Sequence, residues 1–176
     1  MSSRARIRAA GKDGRSVSKQ AAGRRGALVL AAAIFLCDQL SKWWILAHLS
    51  DGRVIEILPV LDLRLVWNTG ISMGLLQDGG WPLTMAVVVV TALVAWWLWR
   101  AEGGLESWAL GSVLGGALGN LVDRLRFGAV VDFVHFHLGG WSFYIFNLAD
   151  AALTLGAVGL VLAMLGSSPR SASGGT

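Results

Sequence analysis

The stretch GGALGNLVDRLRFGAVVDFVHFHLGGWSFYIFNLADAALTLG, residues 115–156, decides how the rest of the chain is read. It sets three aspartates, Asp123, Asp132 and Asp150, among residues apolar enough to lie in or against a membrane. Asn120 stands three before Asp123, and Asn147 three before Asp150, so on a helix each pair shares a face. Ionisable groups at membrane depth are costly and point to function. Asp123 is followed by Arg124 and Arg126, whereas Asp132 and Asp150 have no Lys or Arg within five positions. Burial without a local countercharge favours the protonated carboxyl, and two such acids brought together share one proton.

Working outward, the composition sets the class. Of 176 residues, 55% are hydrophobic and only 15% charged, and the mean hydropathy is +0.59. A soluble domain carries about 25% charged residues. The chain reads as an integral membrane protein with room for four helical spans. Eight of the fifteen Lys and Arg precede residue 26, which is no spread of charge for nucleic acid. The single cysteine, Cys37, has no partner for an intrachain disulfide and is expected to be packed. No Cys/His cluster shows metal-ligand spacing, and there is no glycine-rich phosphate loop.

Residues 1–26 are basic, Ser/Gly-rich and without apolar periodicity, and read as a disordered cytoplasmic arm. The first span covers about 27–49, with no small-x-small cleavage site behind it. It carries Asp38 and Lys42 four apart, an internal ion pair suited to structural support. Residues 50–80 form an aqueous loop in which Leu61, Leu63, Leu65 and Trp67 alternate with Asp62, Arg64 and Val66, the period of a half-buried strand. Such a strand either holds an extended peptide by strand addition or caps the bundle. Residues 81–99 form an uncharged second span with Trp at both ends. The third, about 105–122, repeats Gly111, Gly115 and Gly119 every four residues, a stripe for close helix packing. A second loop, 124–145, contains His135 and His137, read as interfacial polar residues, since two histidines alone do not complete a metal site. The fourth span covers about 146–165, and 166–176 are a polar cytoplasmic tail.

Four spans put both termini on one side. That side holds ten basic residues against four on the other, so the termini are expected in the cytoplasm and the acids at the outer leaflet. Two chemistries fit two unpaired acids there. In an aspartic peptidase the ionised member activates water while the protonated one polarises the scissile carbonyl. In a small transporter or channel the same acids line a proton path.

Five blocks weigh on that choice: Asp38-Gln39-Leu40-Ser41-Lys42, Asn68-Thr69-Gly70, GGALGNLVDR (115–124), VVDF (130–133) and FNLAD (146–150). In this order they closely resemble lipoprotein signal peptidase, or signal peptidase II, a bacterial inner-membrane aspartic peptidase. The resemblance covers nearly all of 27–165. It implies four transmembrane helices with both termini cytoplasmic and an outer-face β-cradle between the first two. It also implies cleavage of prolipoproteins just before a diacylglyceryl-modified cysteine. By motif position the dyad falls on Asp132 and Asp150. Asn68, Asn120, Arg124 and Asn147 match substrate- and dyad-positioning residues, and Asp38, Lys42, Asp123 and Gly116 fall to structural support. The implied partners are lipid-modified prolipoproteins and membrane lipids, without nucleic acid, and the chain is expected to act as a monomer. The chemistry requires neither metal nor cofactor. The chain departs from the family at Ile71-Ser72-Met73, where two alanines and an aromatic are usual, so the detailed shape of the cradle is not carried over.

Overall fold

The computed structural model describes residues 3–70 and 80–166, with side chains from 20 to 70 and from 81 to 166. Ile71, Ser72, Met73 and the tail beyond Gly166 lie outside the described residues. Four long helices, α1 (Ser3–Leu49), α2 (Gly80–Arg100), α3 (Gly104–Phe127) and α4 (Leu148–Gly166), carry a small sheet. Its strands are β1 (Ile55–Leu58), β2 (Leu61–Asn68), β3 (Val130–Leu138) and β4 (Trp141–Phe146), antiparallel in the order β1-β2-β3-β4.

Helix α1 shows how the bundle is tied together. Its buried positions Ala27, Ala31, Asp38, Lys42, Ile45 and Leu49 follow one another at intervals of three, four and seven and so form one face. At one end of that face Ala27 and Ala31 pack with Leu98, Leu110 and Leu114. At the other, Ile45 and Leu49 pack with Val131 and Phe133 and seat the sheet on the helix end. The charged pair lies between the two apolar clusters.

Helix α3 is the centre of the bundle, packed against α1, α2 and α4. A Cβ at Gly111 would lie 2.5 Å from the Ala27 carbonyl oxygen, and one at Gly115 2.7 Å from that of Ala31. A Cβ at Gly119 would run into the Asp38 carboxylate. The glycine stripe therefore exists to admit α1. A different face takes α4: at Gly116 a Cβ would sit 2.5 Å from the Ala149 carbonyl oxygen and 3.0 Å from Leu153 Cγ. Gly116→Ala gains about 1 kcal/mol of helix propensity but presses on backbone that cannot rotate away. Overpacking of that kind costs about 1–3 kcal/mol. The variant is expected to melt at lower temperature in detergent micelles, and an unchanged melting temperature would show that α3 and α4 are not in close contact there.

One sequence expectation, the four spans, is met in part, and others are revised. Among the described residues three segments are long and apolar enough to cross a membrane, Gln20–Leu49, Trp81–Arg100 and Leu148–Gly166. Helix α3 is not one of them, because its glycines, Ser107, Ser112 and Asn120 lower its hydropathy while neighbouring helices shield it. The basic arm is helical in backbone from Ser3 and continuous with the first span, where composition predicts an irregular segment. No proline interrupts it, and Ala, Arg, Lys and Gln are good helix formers. The sheet is not confined to the loop between the first two helices: β3 and β4 come from 130–146, most of the segment expected as a second loop at 124–145. Cys37 is exposed on the bundle's outer face rather than packed.

Candidate active site

The site forms where α3, α4, β2 and β3 meet, and each side chain is aimed by local backbone chemistry. Helix α4 starts with a reciprocal cap. The Asn147 side-chain oxygen accepts from the Asp150 backbone N–H at 2.9 Å, and Asp150 Oδ2 accepts from the Asn147 backbone N–H at 3.3 Å. This is the capping-box exchange with Asn and Asp in the two roles. It fixes Asp150 in the first turn of α4. At the end of α3, Gly128 takes a left-handed φ of 72° and returns its N–H to the Arg124 carbonyl. The chain then enters β3 two residues later, and Asp123 Oδ2 accepts the Val131 N–H at 3.1 Å. Asp132 is the next residue.

In the turn after β2, Gly70 (φ 75°) donates its N–H to Asn68 Oδ1 at 2.8 Å. That use of the carbonyl end leaves the Asn68 amide nitrogen to donate to Asp132 Oδ2, also at 2.8 Å.

The two acids meet at Asn147. Its Nδ2 donates to Asp132 Oδ1 at 2.6 Å and to Asn120 Oδ1 at 3.1 Å, and Asn120 Nδ2 donates to Asp150 Oδ1 at 2.8 Å. Each carboxylate thus receives two N–H groups. Asp132 is 1% exposed, while Asp150 is half-buried and open to cavities on both sides. One, about 350 Å³, lies between α2, α3 and α4 and is lined by Val87, Thr91, Asn120, Arg124 and Leu153. The other, about 430 Å³, is lined by Tyr144, Phe146, Thr154 and Leu155. Burial, reinforced by Asp150, pushes the Asp132 carboxyl above its ordinary range against the opposing hydrogen bonds of Asn68 and Asn147.

Behind the asparagines is a buried ionic network. Lys42 Nζ donates to Asp38 at 2.8 Å, to Asp123 at 2.9 Å and to Asn120 Oδ1 at 3.0 Å, which uses all three of its protons. With Lys42 on its oxygen, Asn120 can present only its NH₂ to Asp150. Gln39 adds bonds to Asp38 and Asp123, and Asp38 Oδ1 accepts the Ala149 N–H at 2.9 Å.

The structure therefore brings Asp132, Asp150, Asn68, Asn120, Asn147, Lys42, Asp38 and Asp123 into one connected set, with Gly116 at the α3–α4 contact. Arg124 donates to the Asn120 carbonyl at 3.3 Å and lines the same cavity as Asp150. Its charge acts on both acids, as that of Lys42 does on Asp132. The pair consequently lacks a cation only in local sequence; among the described residues neither acid is in a salt bridge.

This architecture matches known proteins. The family model described as signal peptidase (SPase) II matches residues 30–166. The chain belongs to the signal peptidase II family. It is an aspartic peptidase of that family. A lipoprotein signal peptidase of Methylorubrum extorquens (strain PA1) is 42% identical over 156 residues, covering 85% of this chain and 91% of the relative. One from Rhizorhabdus wittichii is 44% identical over 143 residues, covering 77% and 83%. A solved structure described as a bacterial membrane enzyme superposes with a TM-score of 0.74 at 26% identity, covering 81% of this chain and 94% of that one.

One cluster was not legible in the sequence. Asp62 lies directly across from His135 in the β2–β3 register, and the two side chains meet at 3.0 Å. Arg64 holds Asp62 with two bonds of 2.8 and 2.7 Å. Those bonds outweigh the opposing burial and, with His135, hold the Asp62 carboxyl down at about 2. Only strand register, which no local pattern reveals, joins residues 73 apart.

Proposed function

We propose that Asp132 and Asp150 are the water-activating pair of an endopeptidase that removes the signal peptide from diacylglyceryl-modified prolipoproteins, cutting just before the lipidated cysteine. The observation that carries this reading is Asn147, which bonds both carboxylates beside an apolar cavity between α2, α3 and α4. Asp150, open to that cavity, is the base that takes a proton from water. Asp132, buried and driven towards its neutral form, holds the shared proton, polarises the scissile carbonyl and then protonates the leaving amine. Asn120 and Asn147 set the distance and tilt of the two acids. Asn68 and Arg124 line the approach of the substrate backbone. Asp38, Lys42 and Asp123 are structural support.

In this reading all four helices cross the bacterial inner membrane, both termini are cytoplasmic, and the chain works as a monomer. The site faces the outer leaflet, where water and lipid both reach it. The chain divides into the basic arm 1–26, the membrane peptidase 27–165 and the tail. The cavities flanking Asp150 receive the diacyl chains, and each buried methylene contributes about 0.8 kcal/mol. That remote binding holds the scissile bond near the acids. The test is cleavage of a synthetic lipidated prolipoprotein peptide by the purified chain, with mass spectrometry locating the cut. Cleavage before the modified cysteine, and none of the unlipidated peptide, is expected. Proton flux in liposomes without cleavage would replace the peptidase with the proton-path alternative.

A pair sharing one proton makes kcat/KM bell-shaped in pH. Activity falls at low pH, where the pair holds two protons and no base remains, and at high pH, where it holds none and no acid remains. The sign for stability follows from the raised Asp132 carboxyl. The folded chain binds a proton that the unfolded chain has released above the ordinary aspartate value of 3.8. Stability therefore falls as pH rises from 3.8 to the folded value and is level outside that window. In Asp132→Asn that window should vanish from melting curves taken between pH 4 and 8; its persistence would assign the proton elsewhere.

A further inference from the structure

We propose a divalent transition-metal site, of the zinc type, on the sheet face away from the two acids, with ligands Asp62, His135 and His137. The placement comes from backbone register. His135 and His137 are two apart on β3 and share a face, and Asp62 is the cross-strand partner of His135 on β2. Their ligand atoms lie within 4.8 Å of one another. Asp62 Oδ2 is 3.0 Å from His135 Nδ1 and 3.3 Å from His137 Nε2. Ligands at about 2.0–2.1 Å from a tetrahedral zinc ion are themselves about 3.3 Å apart, close to the spacing at which Asp62 Oδ2 already stands from each imidazole.

Protons alone serve this cluster poorly. Oδ2 of Asp62 already accepts from Arg64 at 2.7 Å and from His135. His137 Nε2 is buried and, despite its 3.3 Å approach, is misaligned and makes no hydrogen bond. It is a ligand atom aimed into a carboxylate and imidazole cluster with nothing to bond. The second imidazole has the outer partner that a metal-bound histidine requires: His135 Nε2 is 2.7 Å from Ser142 Oγ on β4. The hydroxyl can rotate to accept an Nε2–H, which frees the Nδ1 lone pair for the ion. The stacked rings, 5.1 Å between centroids, hold both histidines in place. The cluster opens to the surface past His137 and Arg64, whose side chains are 26% and 38% exposed, while those of Asp62 and His135 are buried. Three protein ligands leave a fourth position for water.

Arg64 is the competitor, a partly exposed cation on the same carboxylate. It swings into solvent when the metal binds, so it weakens the site without blocking it. The bound ion clips β2 to β3, the strands that carry Asn68 and Asp132.

The experiment uses the tag-free full chain in detergent, stripped with chelator and titrated with Zn²⁺ against a chromophoric chelator, and with Co²⁺ for its visible spectrum. One equivalent per chain, an intense tetrahedral Co²⁺ band and a higher melting temperature with Zn²⁺ are expected. His137→Ala should weaken binding at least tenfold. Arg64→Gln should tighten it about threefold or more by removing the opposing charge, while His48→Ala should change nothing. Retained peptide cleavage in His137→Ala shows that this variant is folded. Equal affinity in wild type and His137→Ala, loss of binding in His48→Ala, or no tightening in Arg64→Gln would each overturn the site. Because Arg64→Gln predicts a gain, a variant that merely misfolds cannot imitate support.

Discussion

Asp132→Asn and Asp150→Asn are each expected to lower kcat for lipopeptide cleavage by about 10³- to 10⁴-fold while leaving the fold and substrate binding nearly intact. The amide is isosteric, so the hydrogen-bond frame around it tests the two positions differently. Asp150 accepts at both oxygens, from Asn120 Nδ2 and from the Asn147 backbone N–H. Asp132 likewise accepts from Asn147 and Asn68. An asparagine at either position turns one acceptor into a donor facing a donor, and one partner amide must flip or be lost. Asn68 can flip only by giving up its bond from Gly70, and Asn120 only by facing Lys42 with its NH₂. A modest stability loss of about 1–2 kcal/mol is therefore expected beside the loss of turnover. If the two roles are as assigned, removing both acids together costs little more than removing one, because neither works alone. Cleavage within tenfold of wild type in either single variant would remove the pair from the mechanism.

How much of this site could be read from the chain depended on how far apart its parts lie in sequence. The separation of Asp132 and Asp150 from other acids was visible because a countercharge three or four residues away is a local pattern. Their convergence was not, since it is produced by the Gly128 turn and by Asn147 acting as both helix cap and bridge. Arg124 shows the limit of the local rule: it sits 26 positions before Asp150 in sequence and beside it in the same cavity. Hydropathy located α1, α2 and α4 because those helices present bulky apolar side chains outward. The third span, expected at about 105–122, coincides with α3, yet its apolarity is below that of the other three because its small residues meet neighbouring helices. The strand alternation around Leu61–Trp67 was legible, whereas β3, buried on its first four residues, lacks a clean period of two. Lys42 was read as the partner of Asp38 alone, since the spacing of four gives one contact and the fold adds Asp123 and Asn120.

Lys42→Met is expected to be the most destabilising single change in the chain, by about 3–5 kcal/mol. The lysine side chain is 3% exposed, and the carboxylates it joins are 0% and 2% exposed. Methionine fills similar volume and donates nothing, so two acids are left facing each other with only Gln39 and backbone N–H groups between them. Buried unpaired charge is far more costly than the intact network is stabilising, so the remedy is to remove the charges as well. A triple variant, Lys42→Met with Asp38→Asn and Asp123→Asn, should recover most of the lost melting temperature. It should not recover turnover to the same degree. Lys42 also holds the oxygen of Asn120, and without it Asn120 is free to turn its carbonyl towards Asp150. The expected signature is a stable protein with KM near wild type and kcat well below it. If the triple variant regains full kcat, Lys42 has no part in orienting Asn120. If Lys42→Met loses under about 1 kcal/mol, the buried charges are not held as a single unit, and the connection from α1 through Asn120 to Asp150 carries no mechanical weight.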